Sequence, residues 1–252
     1  MIERTQAITL RHVNYGETSQ IVTLFTRERG KLAVMAKGAR KPKSPFGSTL
    51  QPMAYAEVVY YYKPTRSVQT LSESAHVSTF GGIGERLDRL TVGQRMMELV
   101  EALLRDEEQN EAVFQLTVET LARLDAAEER VRNVLPFFQL RLACELGVAP
   151  AIEREAVEAL PPAGGVLALE SGAVLGPDGS PEAARRAGRT ALRAYAIFAR
   201  ASLDDVMRLR LREGTRRTVE GLIDDYLRYQ FEASYPTRSA RVAEEMASWQ
   251  PG

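Results

Sequence analysis

The sequence is short of the residues that catalytic and cross-linking chemistry usually needs. Its 252 residues include one cysteine, Cys144, two histidines, His12 and His76, and one tryptophan. A lone cysteine excludes an internal disulfide framework and fits a reducing compartment. Neither histidine belongs to an HExxH or His-x-x-x-His arrangement, so metal-hydrolase schemes lack their parts. No run of eighteen apolar residues is present, which excludes a hydrophobic helical span. The first fifteen residues contain Glu3, Arg4, Arg11 and His12 and no apolar h-region, so no secretory signal is visible. The expectation is a cytoplasmic protein.

The usual substitutes for these parts are missing as well. "GGIGER" near residue 81 precedes a helical pattern but lacks the Gly-Lys-Ser/Thr ending of a P-loop and reads as a domain hinge. Asp224 and Asp225 are adjacent on a helical pattern and point about 100° apart, so they cannot easily share one ion or substrate. Cys144 lies beside Leu142 and Leu146 as a small buried hydrophobe. No constellation supports an enzyme.

Net charge is absent too, with 33 Lys and Arg against 33 Asp and Glu, but the two signs are unevenly placed. Residues 1–80 hold 11 Lys/Arg against 5 Asp/Glu, a net of +6, and the remainder carries 22 against 28, a net of −6. A polyanion is therefore drawn to the first third of the chain. The densest group is "KGARKPKSPFGSTLQP", residues 37–52, where Lys37, Arg40, Lys41 and Lys43 crowd a segment that Pro42, Pro45 and Gly47 mark as a turn. Arg27, Arg29, Lys31, Lys63 and Arg66 stand at other turns of the same region.

Those turns separate five strand-like runs: "TQAITLRHV", "SQIVTLFT", "KLAVMAKGA", "MAYAEVVYYYK" and "VQTLSESAHVS". Alternation with a period of two, β-branched and aromatic enrichment and short connections predict a small antiparallel barrel or sandwich. Single-stranded nucleic acid needs cations for its phosphates and flat side chains for its bases, and this region supplies both. On the fourth run Tyr60 and Tyr62 share one face and Tyr61 takes the other, so one set can line a core while the other meets a ligand.

After "FGGIG" the period changes to that of helices. Helical spacing covers 90–105, 111–124 and 129–146, the last stopping at Gly147. Residues 147–182 mix turn-formers with two apolar runs, Val166–Leu169 and Val174–Leu175, and read as an irregular or β-ribbon insertion. Helical spacing returns at 182–200 and at 215–231, and Ser202 with Asp205 forms an N-capping signal between them. The arginines Arg208, Arg210, Arg212, Arg216 and Arg217 either extend a nucleic-acid surface or pair with acids of neighbouring helices. The organisation is an α+β chain: a five-stranded barrel over 1–80, then a helical domain over 81–252 with 147–182 as its insertion.

The run "GETSQIVTLFTRERGKLAVMAKGAR", the basic loop and the aromatic strand behind it, followed by "LACELGVAP" and "YLRYQFE", resemble the bacterial RecO family of DNA repair and recombination mediators. The resemblance implies an OB-fold for the barrel, binding of single- and double-stranded DNA, and annealing of strands coated with single-strand-binding protein. It also implies cooperation with RecR to help RecA load, and docking of that binding protein's acidic, apolar C-terminal tail on the helical domain. Such docking needs an apolar groove with a cation at its rim, for which Arg132, Phe138 and Arg141 are the candidates. Many members carry a zinc finger whose first C-x-x-C pair follows the "LG-x-x-P" stretch. Here Glu155 and Glu158 stand about there and no cysteine follows Cys144, so no zinc and no other cofactor is expected. Two other readings remain open at this point: an OB-fold RNA-binding factor, and a protein-interaction scaffold without catalysis.

Overall fold

Along β4 (Tyr55–Tyr61) burial alternates residue by residue, with Ala56, Val58 and Tyr60 inside and Tyr61 outside. The same alternation runs through β3 (Gly30–Ala36) and the start of β5 (Val68–Ser78) and is interrupted in β1 (Ile2–Tyr15) and β2 (Ser19–Thr26), where residues on both faces are buried; the five strands close a barrel in the order β1-β2-β3-β5-β4. The computed structural model describes residues 1–236. Four pairings are antiparallel; the closing seam, β3 with β5, is parallel because both strands run the same way with β4 between them in sequence. The interior is filled by Val22, Leu24, Val34, Val58, Tyr60 and Leu71, and Phe46 and Leu50 from the β3–β4 connection join it from one end.

A second apolar layer lies outside the barrel. Phe25, Ile8 and Tyr55 face outward in register across β2, β1 and β4. Phe114 meets Phe25 and Tyr55 edge-on at ring-centroid distances of 5.5 and 6.1 Å, and Phe80 stacks on Tyr55. Phe114 belongs to α3 (Glu111–Asp125), which follows α1 (Gly81–Gly84) and α2 (Leu87–Leu103). The glycines read as a hinge are thus a helical turn packed on α3: Ile83 N–H donates to Asp125 Oδ1 at 3.0 Å, and a Cβ on Gly82 would sit 2.8 Å from the Asp125 carbonyl oxygen. Gly30, at φ +67°, is the closest approach of the β2–β3 turn to the segment joining α2 and α3. A Cβ there would lie 2.0 Å from the carbonyl oxygen of Glu108, which only glycine avoids.

The chain divides into one compact unit of Met1–Ala126 and a second from Ala127 onward. The sequence pattern puts the boundary at 80/81, where strands give way to helices; in the folded chain α1 to α3 belong with the barrel. Residues 237–252, the end of the expected helical domain, lie outside the described residues.

The second unit opens with a 3-10 turn, Val131–Asn133, and α4 (Val134–Glu145), whose Val134, Phe138, Leu140 and Leu142 are buried. A short α5 (Arg154–Glu158) precedes a small sheet in which β6 (Gly165–Ala168) lies between β7 (Val174–Leu175) and β8 (Ala184–Ala187). The two apolar runs singled out in the sequence are the centre of this sheet, with Val166 and Leu167 fully buried. The helix expected over 182–200 begins only at Arg189, since residues 184–187 hydrogen-bond to β6 as its third strand. That helix, α6 (Arg189–Arg200), is followed by α7 (Leu203–Arg208) and α8 (Glu213–Phe231). Ser202 caps α7 by accepting from Asp205 N–H at 3.2 Å, while its hydroxyl donates to the Asp205 carboxylate. Among the described residues no helix is long and apolar enough to cross a membrane.

Candidate nucleic-acid interface

The nine cations predicted to hold nucleic acid fall into two groups. Arg27, Arg29 and Lys31 are paired. Arg27 donates from Nε to both carboxylate oxygens of Glu111 at 2.9 and 3.1 Å, which holds that carboxyl below its usual range. Arg29 forms a two-pronged bond to Glu3 with both distances at 2.6 Å, and its guanidinium lies 3.9 Å above the Tyr62 ring. Glu3 also accepts from the buried Tyr60 hydroxyl at 2.8 Å. Burial, reinforced by that bond, pushes the Tyr60 phenol well up, and the Arg29 hydrogen bonds hold Glu3 low. Lys31, with a side chain 13% exposed, donates to the Glu101 carbonyl at 2.6 Å and pairs with Asp106. These three side chains fasten the barrel to itself and to the segment around α2 and α3.

Lys37, Arg40, Lys41 and Lys43 are exposed, and among the described residues none pairs with a carboxylate. Their loop is built as successive turns, with Lys41 N–H bonded to Gly38 O and Ser44 N–H to Lys41 O. It is seated on the β1–β2 turn by Arg40, whose backbone N–H donates to Thr18 O at 2.9 Å and whose guanidinium donates to Gly16 O at 3.1 Å. Beyond the cations, buried Phe46 and Leu50 anchor the loop in the barrel. His12 and His76 serve the same connection, against the Leu50 carbonyl and the Ser48 hydroxyl. The loop is therefore a held turn with its charges outward.

Lys63 and Arg66 occupy the β4–β5 connection, again exposed and without a carboxylate partner among the described residues. Their turn is shaped by Gln69, 1% exposed, whose amide accepts from Lys63 N–H and donates to the carbonyls of Lys63 and Arg66. Sequence reasoning missed this clamp, and a lone glutamine in a strand carries no signal that would have exposed it. Strand polarity sets the β4–β5 connection at the opposite end of the barrel from the 37–43 loop. The structure thus brings Lys37, Arg40, Lys41 and Lys43 together, and Lys63 with Arg66, but not one group with the other.

In the second unit Arg132 bridges Glu213 and Glu220, both at 3.0 Å, and Phe138 is wholly buried. Arg141 lies over the Phe137 ring and donates to the carbonyls of Arg200 and Ala201 at the end of α6. The arginine run before and within α8 is largely tied down: Arg208 pairs with Asp205, Arg217 with Glu213, and buried Arg216 donates to Asn133 at 2.8 Å. Among the described residues no group of three or more His, Cys, Asp and Glu is placed to hold a metal. The insertion's centre is Val166, Leu167 and Val174, so the residues there do not fit a zinc finger.

A closed five-stranded barrel of this order, followed by helices and a small sheet, is an OB-like barrel joined to a helical region. Residues 1–80 match the family described as "Recombination protein O N terminal", and residues 84–239 match "Recombination protein O C terminal". The DNA repair protein RecO of Salinibacter ruber is 55% identical over 250 residues, covering 99% of this chain and 96% of that protein. Those of an Exiguobacterium species and of Chloroherpeton thalassium are 34% and 35% identical, each covering about three-fifths of both chains. The chain belongs to the RecO family of DNA repair proteins.

Proposed function

We propose that the chain is a non-catalytic mediator of DNA repair and recombination. In this reading it binds single- and double-stranded DNA through its barrel loops, anneals complementary strands coated with single-strand-binding protein, and assists RecA loading together with RecR. The observation that carries it is the set of six exposed cations, Lys37, Arg40, Lys41, Lys43, Lys63 and Arg66, left without carboxylate partners among the described residues on a barrel whose Arg27, Arg29 and Lys31 are paired. Unpaired cations on fixed turns lower the repulsion between two phosphate backbones, which lets complementary strands stay close enough to pair. The test is annealing of complementary strands coated with the cognate single-strand-binding protein. The chain is expected to speed annealing, and the variant with alanine at Lys37, Arg40, Lys41 and Lys43 to lose most of that gain. Equal rates with and without the chain would reject the reading.

The acidic tail of the single-strand-binding protein is assigned to the surface around Arg141. Of the three residues the sequence offered, Arg141 alone has neither a carboxylate partner among the described residues nor a fully buried side chain. The end of α6 beside it exposes Arg193, Ile197 and Arg200 on one face, cations around an apolar residue. Arg141→Ala is expected to weaken binding of a fluorescent tail peptide about fivefold to tenfold, because it removes a charge-assisted hydrogen bond to the tail's carboxylates. Unchanged peptide affinity would remove Arg141 from the site.

A further inference from the structure

The barrel carries two outward apolar rows, and among the described residues helices cover only one. The covered row passes through Phe25, Ile8 and Tyr55 beneath Phe114. The other runs Val13, Ile21, Met35, Thr70, Tyr61 and Ile2, each facing the next across every strand of the closed sheet. None of the six is charged and five are apolar or aromatic. Val13, Tyr61 and Ile2 are 45%, 46% and 64% exposed, and the three between are half-buried. The row's centre lies on β3 and β5, the two strands not adjacent to β1.

Cations stand on both margins of this row. Two residues beyond Met35 comes Lys37, with Arg40 and Lys41 behind it; two residues beyond Tyr61 comes Lys63, with Arg66 behind it. β3 and β4 run in opposite directions, so the two groups flank the row on opposite sides, roughly 14 Å apart at about 3.4 Å per residue. An apolar strip between two cationic edges complements an unpaired strand, whose bases have apolar faces and whose backbone is anionic. In a duplex those faces are stacked on one another and cannot reach the strip.

We infer that the row through Ile21, Met35 and Tyr61 is the surface that meets the bases of single-stranded DNA, with Tyr61 as its stacking residue. The inference rests on the DNA-binding reading above and adds to it the discrimination between one strand and two. Tyr61 is the outward member of the Tyr60–Tyr62 run, with Tyr60 and Tyr62 both buried.

The experiment is equilibrium binding of oligo(dT) and of a duplex of equal length by the full chain, by Tyr61→Ala, by Tyr61→Phe and by Met35→Ser, across a range of salt. Tyr61→Ala is expected to weaken oligo(dT) binding about tenfold while leaving its salt slope and the duplex affinity unchanged, because it removes base stacking and leaves every phosphate partner in place. Tyr61→Phe is expected to retain parental affinity, and Met35→Ser to weaken oligo(dT) binding alone. Unchanged oligo(dT) affinity in both Tyr61→Ala and Met35→Ser, with the four-lysine/arginine loop variant still impaired, would overturn the base-binding surface, leave the DNA-binding reading standing and point to a protein on the row. Equal loss for oligo(dT) and duplex would also overturn it. Failure of the parent to bind either nucleic acid would remove the DNA-binding reading and this inference together.

Discussion

Arg29 and Lys41 carry the same charge and stand in different surroundings, because Glu3 lies against one and, among the described residues, no carboxylate lies against the other. The Glu3–Arg29–Tyr60 group is largely sheltered, and its hydrogen bonds to charged partners are worth about 1.5–3 kcal/mol each when such groups are buried. The hydrogen bonds from Arg29 hold Glu3 below its ordinary 4.5, so the folded state prefers the deprotonated acid. The contribution is complete above about pH 4.5 and disappears as pH falls through the lowered folded value. Urea unfolding measured from about pH 6 to pH 3 is expected to show a loss of stability that Glu3→Gln partly removes, with that variant about 1–2 kcal/mol weaker at neutral pH. A Glu3→Gln profile parallel to the parent's at acid pH would contradict the pairing. The same comparison shows why paired and free cations look alike in the sequence: Arg27 meets a carboxylate 84 residues away and Arg29 one 26 residues away.

At the scale of elements, the small sheet in the second unit stands where many zinc-containing relatives are expected to hold metal. Its strands are joined by backbone bonds from β6 to both β7 and β8 and packed through Val166, Leu167 and Val174. We propose that this packing replaces metal. A chelator is then expected to leave thermal unfolding unchanged, whereas Leu167→Ala destabilises by about 2–4 kcal/mol through the cavity it leaves. A melting temperature lowered by EDTA, or one tightly held zinc per chain, would refute this. The runs Val166–Leu169 and Val174–Leu175 were legible because apolar residues between turn-formers have few other uses. β8 was not, since "ARRA" has neither β-branched residues nor alternation, and its extended form is imposed by pairing with β6. The barrel strands were legible for the opposite reason: Tyr55–Tyr61 alternates inside and outside at every step. Alternation could separate Tyr61 from Tyr60 and Tyr62, but only closure of the barrel determined which of them faces out.

For the molecule as a whole, the compact unit of Met1–Ala126 contains all nine of the cations first singled out, and packing among them has sorted three into structure and six onto the surface. In the proposed function the 37–43 loop neutralises DNA phosphates. The most direct measurement is the dependence of single-strand affinity on salt for the parent and for the variant with alanine at Lys37, Arg40, Lys41 and Lys43. If all six exposed cations meet phosphate, the parent's log–log slope is about −4, at roughly −0.7 per phosphate. The variant, retaining Lys63 and Arg66, is expected at about −1.4, with weaker binding at every salt concentration. A variant with the parent's slope and affinity would show that the loop is only a turn.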